Sequence, residues 1–97
     1  MAYIALTGAE LRYVLINELF VCGPLSVAEL AAAVAAKGFA PSGRASKAIS
    51  DALRCEVRRG RVYRIGRGRY RCGEIPQSSM YYIRTRLCAL DSQQPAI

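Results

Sequence analysis

The segment from Gly60 to Cys72 alternates β-forming residues with arginines around two glycines, Gly66 and Gly68. Such alternation on both sides of a short glycine-containing turn is typical of a two-stranded β-hairpin. The preceding segment, residues 44–59, has apolar residues at helical spacing and ends at a glycine. A helix followed directly by a tight hairpin is therefore the first constraint on the fold.

Alternation within the hairpin predicts which side chains share a face. Tyr63 and Ile65 fall together on the first strand, and Tyr70 and Cys72 fall together on the return strand. We expect the tyrosines to pack the hairpin onto the helices. The arginines of the two strands are then predicted to project the other way; they are Arg64, Arg69 and Arg71.

Positive charge is concentrated in the same part of the chain. Residues 43–72 contain ten basic and two acidic residues, a net charge of +8, whereas residues 1–42 carry −1 and residues 73–97 carry 0. The whole excess of +7 thus lies in one third of the sequence. This distribution predicts a polyanionic partner, with nucleic acid ahead of acidic proteins or anionic lipid.

Three further helices are predicted around this centre. Helix 1 covers about residues 8–21, with a possible capping box from Thr7, and it is apolar on more than one face. Such a helix is either central in the core or has a second face that meets a partner. Helix 2 covers about residues 27–37, and helix 4 covers about residues 78–90. Ser26 and Glu29 form a second capping box, and Phe39 is expected to fill the core.

The third helix, residues 44–59, separates apolar from cationic side chains, and Ser42 is its possible N-cap. The inward stripe is predicted to be Ala45, Ile49, Ala52 and Leu53, and the opposite row to be Lys47, Ser50, Arg54 and Arg58. Glu56 falls inside the apolar arc, where pairing with an arginine at the edge of the core is expected.

Three helices followed by a hairpin resemble a winged helix-turn-helix domain, over residues 8–72, with Gly60–Tyr70 resembling the wing. The resemblance implies an α+β, mainly α fold: a three-helix core, a β-hairpin wing and an extra C-terminal helix. It also implies that helix 3 enters the DNA major groove, that the wing contacts phosphates or the minor groove, and that Gly38–Gly43 is the turn. Residues 1–76 would form the winged-helix domain, and residues 77–97 a C-terminal helix and tail.

Arg67-Gly68-Arg69 resembles the Arg-Gly-Arg core of AT-hooks, which lies in a narrow A·T-rich minor groove. The alternative is that the glycines serve the turn and the arginines contact phosphate. The predicted DNA-binding residues are the polar and basic side chains of helix 3 and the hairpin: Arg44, Ser46, Lys47, Ser50, Arg54, Arg58, Arg61, Arg64, Arg67, Arg69 and Arg71.

Helix 4 carries an apolar stripe that either covers the core or pairs with a second copy of the chain. Because helix 1 already shows excess apolar surface, a homodimer is predicted. The interface residues in this prediction are Met80, Tyr81, Ile83, Leu87 and Leu90.

Several functions are not expected. The chain has no histidine, clustered carboxylate pair or phosphate-binding loop, so we predict no enzyme activity, catalytic residue or cofactor. Its four cysteines lack metal-ligand spacing, so no metal site is predicted, and we expect small buried thiols. No apolar run is long enough for a membrane span, and no small-molecule effector is evident.

These features together predict sequence- or shape-selective binding of double-stranded DNA in the bacterial cytoplasm, on the nucleoid. The protein would be a small transcription regulator or a nucleoid-associated protein. An RNA- or protein-binding winged-helix module is the alternative.

Overall fold

The computed structural model describes residues 4–6, 8–41 and 44–91, and its architecture is α+β with helices predominating. In chain order the elements are β1 (Ile4–Leu6), α1 (Gly8–Cys22), β2 (Leu25–Ser26), α2 (Val27–Ala36), β3 (Phe39–Pro41), α3 (Ala45–Arg58), β4 (Val62–Gly66), β5 (Arg69–Cys72) and α4 (Gln77–Asp91). Within the described ranges, β1 pairs with β3, and a second, antiparallel sheet has the strand order β2-β5-β4. None of the described helices is both long and apolar enough to cross a membrane.

Helix α1 is the central element of the fold. It contacts α2, α3, α4 and strand β5, which explains why its apolar residues are not confined to one face. Its core side chains are at most 4% exposed: Leu11, Val14, Leu15, Ile16 and Leu19. Of the two sequence-based interpretations of this helix, the central position in the core is correct. At its C-terminal end, Phe20 and Val21 are exposed.

Both predicted ends of α2 are confirmed. The Ser26 hydroxyl accepts a hydrogen bond from the Glu29 backbone N–H at 3.1 Å, and the Glu29 carboxylate accepts one from the Ser26 N–H at 2.9 Å. This reciprocal arrangement is a complete capping box. At the other end, Gly38 follows the C-cap with a φ of 80°, a left-handed conformation that favours glycine.

Replacing Ser26 with alanine is expected to lower the free energy of unfolding by about 1 kcal/mol, because the Glu29 N–H loses its acceptor.

The hydrogen bond from the Ser26 backbone also holds the pKa of Glu29 below its ordinary value of 4.5. The carboxylate therefore stabilises the fold above that ordinary pKa, and its contribution is lost as the pH falls through the lower, folded-state value. In urea unfolding, Glu29→Gln should have a lower free energy of unfolding than wild type at about pH 7, and this difference should be smaller at about pH 3. A difference independent of pH would contradict this account.

The connection between α2 and α3 differs from the expected simple turn. Strand β3 lies inside it and pairs in parallel with β1, with Phe39 opposite Ile4 and Pro41 opposite Leu6. The predicted burial of Phe39 is confirmed, since this side chain is 3% exposed and Leu6 beside it is 2% exposed. The turn expected at residues 38–43 therefore includes a strand that helps to close the core.

Two predicted N-caps fall on residues whose structure is not described. Thr7 and Ser42 lie outside the described residues. At α3, the N-cap position is occupied by Arg44, whose side chain makes no capping hydrogen bond. The N-cap position of α3 is thus two residues after the serine that the sequence suggested, and the helix begins at Ala45.

The hairpin forms where predicted, and strand β2 attaches it to the helices. Leu25 pairs with Tyr70 and Ser26 with Arg69. The Val27 N–H also donates to the Gly68 carbonyl at 3.0 Å. The turn is formed by residues 67 and 68, and Gly68 adopts a φ of 67°, which a side chain would strain.

The register of the hairpin corrects the predicted faces. Tyr63 is opposite Arg71, and Arg64 is opposite Tyr70. Opposite residues of an antiparallel pair share a face, so Arg64 lies on the side of Tyr70, and Tyr63 lies on the other side with Arg71. Tyr70 packs against the core as expected, whereas Tyr63 is 41% exposed. The prediction that Tyr63 packs onto the helices is wrong.

Helix α4 closes the core of this chain. It packs on α1, and its Met80 and Ile83 are 6% and 1% exposed. Leu87 is half-buried against the same cluster, and Tyr82 makes an edge-to-face contact with Tyr13 of α1 at 5.8 Å. The described part of residues 77–97 therefore shares one core with the preceding elements.

Candidate nucleic-acid interface

Helix α3 separates a buried face from a cationic face, largely as predicted. Ile49, Ala52 and Leu53 are buried, but Ala45 is exposed and does not belong to the inward stripe. Ala45 is the first residue of the helix, where the chain has not yet reached the core. On the opposite side, the exposed members of the predicted row are Lys47, Arg54 and Arg58, and Ser50 is half-buried.

A cleft of about 430 Å³ separates α3 from the hairpin. Its walls carry Ser50 and Arg54 from α3 and Arg64 from β4, and its remaining lining is Val27, Val57, Gly68 and Tyr70. Arg64 reaches this position because it lies on the Tyr70 face of the hairpin, beyond the buried Val62. Its Nε donates to the Gly66 carbonyl at 3.3 Å, which holds the side chain along the strand. We call this feature the basic cleft.

The buried carboxylate of Glu56 fixes the hairpin relative to α3. Glu56 is 1% exposed. It accepts two hydrogen bonds from Arg61, from Nε and, at 2.8 Å, from Nη2. Arg12 of α1 forms an ion pair with the same carboxylate, its Nε lying 3.0 Å from Oε1. The Arg61 backbone N–H also donates to the Glu56 carbonyl at 3.1 Å. One side chain thus joins α1, α3 and the start of the hairpin.

This network changes the role of Arg61. The hydrogen bonds with Glu56 raise the pKa of Arg61 further above its ordinary value, so the guanidinium stays charged while it is held at the core. Glu56 was expected to pair with an arginine at the edge of the core; it pairs with two, and it is fully buried. Arg12 was not foreseen as a partner, because its proximity depends on how α1 packs on α3.

The remaining arginines of the hairpin occupy different places. Arg67 is exposed in the turn, and Arg69 is exposed at the start of β5. Arg71 lies 4.7 Å above the Tyr63 ring in a cation–π contact, and its Nη1 donates to the Cys72 carbonyl at 3.3 Å. Arg71 is therefore on the face of the hairpin that points away from the basic cleft.

Comparisons with protein-family models, curated proteins and solved structures identify no family for this chain. No protein-family model matches it, and neither the curated proteins nor the solved structures include a significant match.

The other predicted DNA-binding residues lie at the N-terminal end of α3. Arg44 and Ser46 are exposed there, near Lys47. Asp51 lies within the same helix face. Its Oδ2 is 2.9 Å from Lys47 Nζ, and its Oδ1 is 3.8 Å from Arg54 Nη1. Two of the predicted DNA-contacting cations are thus next to a carboxylate.

The predicted dimer residues are mostly not at the surface. Met80 and Ile83 belong to the core, Leu87 packs against it, and the side chain of Leu90 lies outside the described residues. Tyr81 is 75% exposed. The stripe on helix 4 therefore covers the chain's own core, which was one of the two interpretations of that stripe, and homodimerisation stays a prediction.

The cysteines are less buried than expected. Cys22 and Cys88 are exposed, Cys55 and Cys72 are intermediate, and all four thiols are free. Burial raises the pKa of the Cys72 thiol, so that group is protonated at neutral pH. Among the described residues, no group of three histidine, cysteine, aspartate or glutamate side chains could hold a metal ion.

Proposed function

We propose that this protein binds double-stranded DNA through the basic cleft and the exposed cations beside it. The observation that carries the proposal is the juxtaposition of Arg54 on α3 with Arg64 on the hairpin across one cleft. Cations from two separate elements converge there, whereas an ordinary solvated helix face would present charges from one element alone. The surface continues through Lys47 and Arg58 on α3 and Arg67 in the turn.

The proposal includes a winged helix-turn-helix arrangement, which the order and pairing of the elements support. Three helices precede the hairpin, and β2, between the first two helices, pairs with the hairpin. The α2–α3 connection is longer than the three or four residues of the usual helix-turn-helix turn, because it contains β3. The proposed winged helix therefore differs from the usual arrangement in its longer α2–α3 connection.

In this proposal, two elements share the recognition of DNA. Helix α3 has 14 residues, and the major groove, about 12 Å wide, admits one α-helix. Its exposed Arg54 and Arg58 can donate to guanine edges or phosphates. Arg64 and Arg67 of the hairpin would contact the phosphate backbone, which positions the protein without reading sequence. We leave Arg61 and Arg71 out of this surface because their guanidinium groups are engaged by Glu56 and Tyr63.

Binding is expected to depend steeply on salt. If about six phosphates are neutralised, the affinity for a mixed-sequence duplex should fall about 10³-fold or more between about 50 mM and about 200 mM salt. Fluorescence anisotropy with a labelled duplex measures this directly. A nearly flat salt dependence would contradict the electrostatic basis of the proposal.

Two experiments separate the possible biological roles. Competition between duplex DNA and a structured RNA hairpin for the pure protein tests the choice of nucleic acid, and preference for RNA would favour the RNA-binding alternative.

Selection from random duplexes then tests sequence specificity. A defined consensus is expected for a transcription regulator, whereas an A·T-biased pool without a motif would indicate a nucleoid-associated protein whose Arg67-Gly68-Arg69 enters the minor groove.

A further inference from the structure

One acidic side chain lies among the cations of α3. Asp51 is 49% exposed, whereas Glu56 on the same helix is 1% exposed. The Asp51 carboxylate accepts a hydrogen bond from Lys47 and lies within ion-pair distance of Arg54. The bond from Lys47 holds the pKa of Asp51 below its ordinary value, so the carboxylate is charged at neutral pH.

Helix stability accounts for little of this carboxylate. Lys47 precedes Asp51 by four residues, which is the less stabilising order along a helix, and Arg54, which follows Asp51 by three residues in the more stabilising order, lies 3.8 Å away. Lys47 and Arg54 are also largely exposed, at 72% and 71%, and ion pairs between such side chains contribute little to folding. The position of Asp51 therefore has its main consequence at the surface, where it neutralises cations that would otherwise meet phosphate.

We propose that Asp51 limits sequence-independent DNA binding by this surface and thereby sets its selectivity. This inference rests on the proposed function. A carboxylate beside Lys47 and Arg54 repels phosphates and competes for both cations, so fewer counterions are released on random DNA. A base edge that donates a hydrogen bond, such as cytosine N4 in the major groove, can instead satisfy the carboxylate. Asp51 thus penalises backbone contact more than contact with a suitable base.

Asp51→Asn tests the inference with little change of shape. Binding to a short mixed-sequence duplex is expected to tighten about tenfold at low salt, and the slope of log affinity against log salt should steepen by about one. The matched control is Glu74→Gln, which makes the same charge change at an exposed position outside α3 and the hairpin strands. This control is expected to change the affinity less than about twofold, because an exposed charge that does not contact the DNA is largely screened.

A double-mutant cycle separates the effect on Lys47 from the effect of net charge. Lys47→Ala should weaken DNA binding more in the Asp51→Asn background than in wild type, because the lysine is free to meet phosphate only when the carboxylate is gone. The inference is overturned if Lys47→Ala lowers the DNA affinity equally in both backgrounds. It is also overturned if Asp51→Asn leaves the affinity unchanged, or if Glu74→Gln raises the affinity as much as Asp51→Asn does. If wild type binds the duplex and Asp51→Asn binds identically, this inference alone fails. If wild type does not bind duplex DNA at low salt, the proposed function fails and the inference fails with it.

Discussion

Replacing Glu56 with glutamine is expected to lower the free energy of unfolding by about 3 kcal/mol, because it removes one partner of a buried ionic network. The glutamine amide occupies nearly the same volume but carries no charge, so Arg12 and Arg61 would remain beside the core without a counter-charge. For a domain of this size, such a loss lowers the melting temperature by more than about 10 °C. Urea and thermal unfolding followed by circular dichroism measure the change.

Two further variants identify the cause of that loss. Glu74→Gln removes an exposed carboxylate, and its stability should stay close to that of wild type. The triple variant Arg12→Met, Glu56→Leu, Arg61→Met replaces the network with apolar side chains and should recover much of the lost stability. A Glu56→Gln variant as stable as wild type would contradict the assignment of Glu56 as the junction of α1, α3 and the hairpin.

The helices and the existence of the hairpin could be predicted from sequence because their signals are local. The capping box at Ser26 and Glu29, the glycine after α2 and the apolar spacing of α3 each lie within a few consecutive residues. Strands β1 and β3 have no such signal. Their parallel pairing joins residues far apart in the chain, and three-residue strands are too short for a periodic pattern to be recognised.

The faces of the hairpin show a second limit of sequence reasoning. Alternation identifies the residues of one strand that share a face, but the register decides which residues of the other strand join them. The observed register places Arg64 with Tyr70, and an irregularity between Arg64 and Gly66 shifts the pairing at the tip. Arg64 therefore lines the basic cleft instead of projecting away from the helices. The contribution of β4 to the candidate site depended on this detail.

The cationic surface itself was visible in the sequence, whereas the sorting of its arginines was not. Ten basic residues were countable between residues 43 and 72. Which of them are already engaged depends on tertiary contacts, such as that of Arg61 with Glu56 and that of Arg71 with Tyr63. A count of basic residues therefore overestimates the number of arginines whose guanidinium groups are available to a partner.

Removing the two arginines of the basic cleft is expected to weaken duplex DNA binding far more than removing two exposed arginines of α4. In Arg54→Gln, Arg64→Gln, the loss of two charge-assisted contacts corresponds to about a 100-fold lower affinity at low salt. The slope of log affinity against log salt should become shallower by at most about 1.8, since each full phosphate contact contributes about 0.9 and Asp51 already weakens that of Arg54. Anisotropy titrations at several salt concentrations give both quantities.

The matched control is Arg84→Gln, Arg86→Gln, which removes two exposed arginines from α4 and has the same net charge as the cleft variant. Its affinity should fall less than about threefold, because screening over about 8–10 Å limits the influence of charges that do not contact the DNA. Circular dichroism establishes that both variants are folded. If the two variants lose affinity equally, net charge rather than the cleft governs binding, and the juxtaposition of Arg54 and Arg64 has no functional meaning. If the cleft variant alone loses affinity, α3 and the hairpin bind DNA as one surface, whose geometry depends on the buried Glu56.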